Sequence, residues 1–354
     1  MTSRPPAEPP EENADSETDD PRLVAAWHAL EEGDVAGARR QAASLDPAAP
    51  DTLLLLAACA REEGDAKQAL ALAARAEAAA PDWATPPLWQ AEMLAGDPDR
   101  LEDALGAAER ALDRADDEGE YLSAIALKAG LEIELGDTDA ARETMQDLPP
   151  AEVRMGDLDT SLEIADLHLA VGDVETARER LRVVCEEHPE SADAWYMLGA
   201  VAAELDDEEA MRAAWKRTWT LDTAPGRDGG EPPALSEEEV AAVAETALRE
   251  LPERARELLR GIPILVADHP AEADVDAGVD PRAFGLFSGT PHPEASMGLG
   301  GQPGLTQIVL FRRNLERAVN DPDELREEVR LTLLHETGHF FGLSDAELEE
   351  MGLG

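Results

Sequence analysis

The last third of the chain alternates between two spacings of apolar residues. Residues 236–261 open with Ser-x-x-Glu and continue with apolar positions at helical spacing, which predicts one long helix. Two short β-rich runs follow, at 262–266 and 306–311, and each predicts a strand. A second helical pattern begins at Asp321, and beyond Leu331 its apolar residues occupy nearly every side. Such a pattern predicts a helix that is buried in a domain core.

The preceding region, residues 22–222, carries a recurring Gly-Asp pair. The pairs stand about 30 to 40 residues apart, alanine lies five residues after four of the glycines, and a proline closes four of the units. The glycines are Gly33, Gly64, Gly96, Gly136 and Gly172, and the alanines are Ala38, Ala69, Ala141 and Ala177. This pattern resembles tetratricopeptide (TPR) repeats, in which two helices meet at a turn and cross at a small residue. The resemblance implies an all-α TPR-like solenoid whose concave face binds peptides or partner proteins.

Residues 335–345 read His-Glu-x-x-His-x-x-Gly-x-x-Asp. His335 and His339 lie on one face of a helix, so both imidazoles can bind one metal ion. Glu336 lies beside that ion and can accept a proton from its water. Gly342 tolerates the left-handed turn that ends a helix, and this turn can bring Asp345 back as a third ligand. Three ligands with one open position predict a catalytic zinc site, whereas the alternative is a buried helix that carries two histidines by chance.

The segment from about residue 236 to 354 resembles the small bacterial zincin-like metallopeptidases, the mini-zincins. The similarity rests on residues 262–266, 285–291 and 308–312, and above all on the motif that begins at His335. The resemblance implies a compact α+β zincin-like domain in which His335, His339 and Asp345 bind zinc and Glu336 is the general base. It does not supply a natural substrate.

Composition divides the chain into four parts. Residues 1–21 are rich in Pro, Glu and Asp and lack an apolar run, so we expect a disordered acidic tail and not a signal peptide. Residues 22–222 are the TPR-like repeats, 223–234 are a linker rich in Pro and Gly, and 235–354 are the zincin-like domain.

The cysteines and the apolar runs bear on where the chain works. Cys59 and Cys185 stand in separate repeats on helical patterns, which is typical of small core residues and not of a disulfide or metal pair. The sequence has no apolar run near the roughly 18 residues that span a membrane. The missing export signal and the absence of a disulfide framework predict a cytoplasmic protein.

The charge balance is strongly acidic, with 78 Asp and Glu against 30 Lys and Arg and a net charge of −48. Nucleic acid is excluded as a partner, because no basic patch is available to neutralise phosphates. The acidic surface suits a salty cytoplasm, where repulsion is screened, and the alternative is a surface that is merely solvated.

Two function classes follow from the sequence. The first is a zinc metallopeptidase whose TPR-like repeats recruit a protein substrate or adaptor, with residues 307–311 as an edge strand that holds an extended peptide. Arg312 and Arg313 then steer a substrate carboxylate or are simply solvated. The second is a TPR interaction scaffold whose zincin domain binds metal without catalysis. The intact Glu336 favours the first class, because a scaffold has no need of a base.

The excess of acidic residues predicts that stability rises with salt. Between about 0.1 and 1 M NaCl the screening length falls from about 10 to 3 Å, which weakens repulsion within the folded chain. The midpoint of thermal unfolding of the full chain should therefore increase across this series. A midpoint that stays constant would show that the charge has no effect beyond solvation.

Overall fold

The chain folds into two compact units. The computed structural model describes residues 20–226, 234–251, 253–289, 307–319, 321–344 and 347. The first unit contains the residues up to Pro150 together with Asp166–Asp173, and the second contains Ala151–Ala165 and the residues from Val174 onward. Most of the predicted acidic tail (1–19) and the middle of the predicted linker (227–233) lie outside the described residues.

Helices joined in pairs by short turns build the region before residue 223, as the repeat pattern predicts. They are α1 (Pro21–Glu31), α2 (Val35–Ala42), α3 (Pro50–Glu62), α4 (Ala66–Ala79), α5 (Thr85–Ala95), α6 (Leu101–Leu112), α7 (Glu118–Glu134), α8 (Thr138–Thr144), α9 (Leu158–Ala170), α10 (Val174–Glu187), α11 (Ala192–Glu204) and α12 (Glu208–Asp222). Within each unit, consecutive helices pack on one another. Among the helices described, none has the length and hydrophobicity that crossing a membrane requires.

Four of the five Gly-Asp turns contain a left-handed glycine before the aspartate, and the exception is Gly96 with φ −69°. Gly64 has φ +77°, a left-handed conformation that ends α3 and that glycine adopts without steric cost. Asp65 then caps α4, because its carboxylate accepts a hydrogen bond from the Gln68 N–H at 2.9 Å. At the last pair Asp206 replaces the glycine with φ +56°, and Asp207 caps α12.

The repeated alanines lie where paired helices cross. Four of them are fully buried with no exposed surface: Ala38, Ala69, Ala141 and Ala177. In the last pair, Gly199 on α11 lies directly beneath the Trp215 indole of α12, so that an added Cβ would fall 2.1 Å from a ring atom. Close helix contact therefore selects small residues at these positions.

The region after residue 234 combines helices with a small sheet. Its elements are α13 (Glu237–Glu250), α14 (Glu253–Leu259), β1 (Ile264–Ala267), α15 (Glu272–Asp276), β2 (Gly285–Ser288), β3 (Gln307–Phe311), α16 (Arg312–Arg317) and α17 (Pro322–Phe340). Ser236 caps α13 with a capping box that includes Glu239. The prediction of one long helix over 236–261 is wrong, because Leu251 is extended (φ −64°, ψ 153°). The next residue is Pro252, which disfavours a helical conformation at the residue before it.

The sheet has the strand order β1–β3–β2. β1 runs parallel to β3, and β2 runs antiparallel to it with Leu286 opposite Val309. β1 lies at an edge of this sheet, as the proline that precedes it indicates. The interpretation of residues 307–311 as an edge strand is wrong, because β3 is paired on both sides. Among the strands that the structure describes, β2 occupies the second edge.

One apolar core holds α13 and α17 against the sheet. Ile308 and Leu310 of β3 face Val329 and Leu333 of α17, and all four are buried. Val240, Ala244 and Ala247 of α13 complete this cluster. The core fixes α17, which carries the metal motif, beneath the central strand.

Within the second unit, a buried ion pair joins α12 to the segment before β2. The Asp222 carboxylate is only 4% exposed, and it accepts hydrogen bonds from Arg282 Nε at 3.0 Å and from Arg317 Nη1 at 2.7 Å. Burial raises the pKa of Asp222, but the hydrogen bonds from Arg317 and Arg282 outweigh that effect and leave the pKa below its usual value. The Arg282 guanidinium also lies over the Tyr196 ring, 4.6 Å from its centroid.

We predict that Asp222→Asn destabilises the second unit by about 3 kcal/mol, because it leaves two arginines without a buried counter-charge. Urea unfolding measures the loss, and hydrogen exchange should locate it in α12 and β2. Since the pKa of Asp222 is lowered, its contribution is complete above the ordinary aspartate pKa of about 3.9 and disappears as the pH falls through the lowered value.

Asp193 provides a matched control, because it pairs with the same Arg282 at 2.7 Å but is 61% exposed. Asp193→Asn should cost less than about 1 kcal/mol. Equal losses in the two variants would contradict the structural role assigned to Asp222.

Candidate metal and catalytic site

Helix α17 carries His335, Glu336 and His339 within little more than one turn. The helix begins at a side-chain cap, since the Asp321 carboxylate accepts hydrogen bonds from the N–H groups of Asp323 and Glu324. It ends at Gly342, whose φ is +82°. There the Gly342 N–H donates to the carbonyl of His339 and the Leu343 N–H donates to the carbonyl of Gly338, which is a Schellman ending.

The imidazoles of His335 and His339 converge on one point. Their Nε2 atoms are 3.0 Å apart, and the ring centroids are 4.7 Å apart with the planes at 80°. Two nitrogens bound tetrahedrally to zinc at about 2.0–2.1 Å lie roughly 3.3 Å from each other. The spacing of the two nitrogens therefore fits a shared zinc ion.

A hydrogen bond to the backbone fixes the tautomer of His339. Its Nδ1 lies 3.1 Å from the Leu343 carbonyl oxygen, which can only accept, so Nδ1 carries the proton. In the neutral ring the lone pair is then on Nε2, the atom that faces His335. Histidines that bind metals are oriented by such outer contacts, so the Gly342 turn, which positions Leu343, also orients a ligand.

Glu336 lies under the edge strand, with only 7% of its surface exposed. A Cβ at Gly285 of β2 would be 2.9 Å from Glu336 Cγ and 3.1 Å from Glu336 Oε1, and 2.9 Å from Thr332 Cγ2. Only glycine lets the strand come this close to the helix. The sequence contains a weak signal for this contact, namely a glycine that opens a β-rich run.

A cleft of about 280 Å³ opens beside this contact. On the strand side it is lined by Ala283, Phe284 and Gly285. On the helix side the lining residues are Glu328, Leu331, Thr332, His335 and Glu336. A ligand in the cleft would therefore contact one histidine of the motif and its glutamate.

Other candidates from the sequence lie elsewhere or outside the described residues. Asp345, the predicted third ligand, lies outside them. Ser344 and Glu347, on either side of residues 345 and 346, are joined by a hydrogen bond of 2.8 Å. Arg312 is neither solvated nor directed at a substrate, because it pairs with Asp268 at 2.5 Å and with Glu237 at 3.7 Å.

Sequence reasoning missed the residue that anchors the segment before β2. Asn314 is 2% exposed, and its side-chain amide donates to the carbonyls of Pro281 at 2.9 Å and Ala283 at 2.8 Å. Its carbonyl oxygen lies 3.2 Å from His269 Nδ1, so His269 supports the same segment. A single sequence carries no signal for this role, because asparagine usually lies on the surface.

An acidic cluster elsewhere in the described residues could also attract a cation. Ligand atoms of Asp116, Asp117 and Glu120 lie within 4.8 Å of one another. Asp117, however, caps α7 by accepting a hydrogen bond from the Glu120 N–H, and both aspartates are exposed. The cluster is explained by helix capping.

Comparison with protein families matches two parts of the chain. Residues 259–354 match the zincin-like metallopeptidase family, and residues 158–201 match a tetratricopeptide repeat. The first match contains the whole metal motif and all three strands, whereas the second contains α9, α10 and most of α11. A search of curated proteins gave no match.

Several solved structures resemble the helical part. The pilF protein of Pseudomonas aeruginosa is 17% identical, with 59% of this chain and 95% of that chain covered and a TM-score of 0.46. PilW, a type IV pilus biogenesis factor, is 14% identical, with 59% and 96% covered and a TM-score of 0.45. YrrB, described as a TPR protein with an unusual peptide-binding site, is 17% identical, with 57% and 95% covered and a TM-score of 0.39. By the two family matches, the chain carries a C-terminal region that matches the zincin-like metallopeptidase family, joined to N-terminal tetratricopeptide-like repeats.

Proposed function

We propose that the chain is a zinc-dependent metallopeptidase. His335 and His339 hold the metal through Nε2, Asp345 is the third ligand, and Glu336 is the general base. The observation that carries the proposal is the 3.0 Å approach of the two Nε2 atoms beside a buried glutamate. The family match to residues 259–354 supports it.

The chemistry divides between the metal and the side chains. Zinc, when bound, supplies Lewis acidity, which lowers the pKa of a water molecule to about 7 and polarises a carbonyl. Glu336 accepts the proton of the attacking water and returns it to the leaving amine. Its burial against Gly285 keeps bulk water away from this proton transfer.

The geometry of β2 suits an extended peptide substrate. The Phe311 N–H donates to the Phe284 carbonyl at 2.8 Å, so these two residues form a hydrogen-bonded pair. By the alternation of an antiparallel ladder, Leu286 also bonds to β3, whereas the backbone groups of Gly285 and Phe287 point to the outer edge. We assign substrate binding by β-augmentation to this edge, in place of the paired strand β3.

The repeats give the peptidase a surface for proteins. TPR-like hairpins bind peptides and partner proteins in general, so we assign them the recruitment of a protein substrate or adaptor. Cys59 and Cys185 are both buried and unpaired, which supports a reducing compartment such as the cytoplasm.

The metal assignment predicts about one zinc per chain in the purified protein. The double variant His335→Ala/His339→Ala should lose it, because two of three ligands are removed. Elemental analysis measures the content, with the exposed His28 changed to alanine as the control. Zinc that is undiminished in the double variant would refute the site.

The assignment of the base predicts that Glu336→Gln retains zinc but loses hydrolysis. Removal of a general base lowers kcat by roughly 10²- to 10⁴-fold. Cleavage of an unstructured peptide library measures the effect, and Glu327→Gln on the same helix is the matched control. Full activity in Glu336→Gln would remove this residue from the mechanism, and no cleavage by the native chain would favour the scaffold function.

A further inference from the structure

The cleft beside the candidate site ends at the carboxylate of Glu328, which has no role in the proposed hydrolysis. Glu328 lies on the same face of α17 as Thr332 and Glu336, at successive intervals of four residues. The helix rise places Glu328 about 12 Å before Glu336 along the axis. The cleft therefore extends from the reacting group to a second negative charge.

The walls between these two carboxylates are mainly apolar. Leu331 and the methyl group of Thr332 line the helix side, and Ala283 and Phe284 line the strand side. Gly285 faces α17, so Phe284, the residue before it, borders the cleft through its backbone and not through its ring. The apolar part of the wall therefore comes from Leu331, the Thr332 methyl group and Ala283.

Glu328 also differs from its neighbour in its contacts. Glu327 forms an ion pair with Arg330 at 2.8 Å on another face of the helix. Glu328 has no hydrogen bond or ion pair with any other residue in the ranges that the structure describes. Its charge therefore faces the cleft without a protein partner there.

We propose that this cleft is a specificity pocket for a lysine or arginine side chain next to the scissile bond. The proposal rests on the metallopeptidase function and names its substrate class. A long basic side chain can lay its apolar stem along Leu331 and the Thr332 methyl group and bring its charged end to Glu328. At about 280 Å³, the cleft is at the lower limit of ligand pockets and suits one side chain.

The same pocket discriminates against other residues. An acidic side chain would meet Glu328 with like charge, and an aliphatic one would displace water from the carboxylate without replacing its hydrogen bonds. This local effect is separate from the field of the whole acidic chain. Salt at about 1 M screens the general field over about 3 Å but screens a direct contact in the cleft much less.

The test uses three extended peptides that differ at one position, which carries arginine, its neutral isostere citrulline or glutamate. At 1 M NaCl the native chain should cleave the arginine peptide about tenfold faster in kcat/KM, which corresponds to about 1.4 kcal/mol. Glu328→Gln should abolish this preference, and Glu328→Lys should shift it to glutamate. Glu327→Gln, with the same charge change one residue away, should keep it.

The pocket would be overturned if the native chain showed no preference for arginine over citrulline. It would also be overturned if the preference survived in Glu328→Gln or fell equally in Glu327→Gln. A binding measurement distinguishes a failure of the pocket from a failure of the peptidase function. The zinc-loaded Glu336→Gln chain should bind the labelled arginine peptide about tenfold more tightly than the citrulline peptide by fluorescence anisotropy, and only while Glu328 is intact. Equal affinities would overturn the pocket even if hydrolysis is confirmed, and a Glu328-dependent difference would support it even if no cleavage occurs.

Discussion

The absence of a side chain at Gly285 sets the distance between the edge strand and the helix of the metal motif. Any Cβ there would overlap the Glu336 and Thr332 side chains. Because the strand lies this close, one edge of the sheet, the buried glutamate and the histidine pair share a single small region. A substrate held along β2 would then present its backbone beside Glu336, where proton transfer requires contact within hydrogen-bond distance. The hydrolysis that we propose depends on this approach.

Two sets of contacts within the second unit keep β2 close to α17. Below the sheet, Val329 and Leu333 of α17 pack in the apolar core. Ahead of β2, Asn314 holds the carbonyls of Pro281 and Ala283, while Arg282 binds Asp222 at the end of α12. The last helical pair and the α+β region are therefore parts of one compact unit. Because Arg282 joins Asp222 to the residues just before β2, α12 helps to hold this strand in place.

The features that could be predicted from the sequence are local ones. The Gly-Asp turns follow from the conformational freedom of glycine and the capping ability of the aspartate after it, and the pairing of His335 with His339 follows from helix geometry. The central position of β3 could not be predicted, because strand order depends on partners distant in the sequence. The same holds for Asp222 and Arg282, which are 60 residues apart. The break between α13 and α14 could have been predicted from Pro252, because a proline disfavours a helical conformation at the residue before it, here Leu251. The helical spacing of the apolar residues obscured this signal.

The central claim is that one zinc ion lies between the imidazoles of His335 and His339. Anomalous diffraction at the zinc edge, from crystals of the zinc-loaded chain, tests it most directly. The account predicts one strong peak at about 2.0–2.1 Å from Nε2 of both histidines. A peak at Asp116, Asp117 and Glu120, with the two imidazoles bonded only to each other, would contradict it.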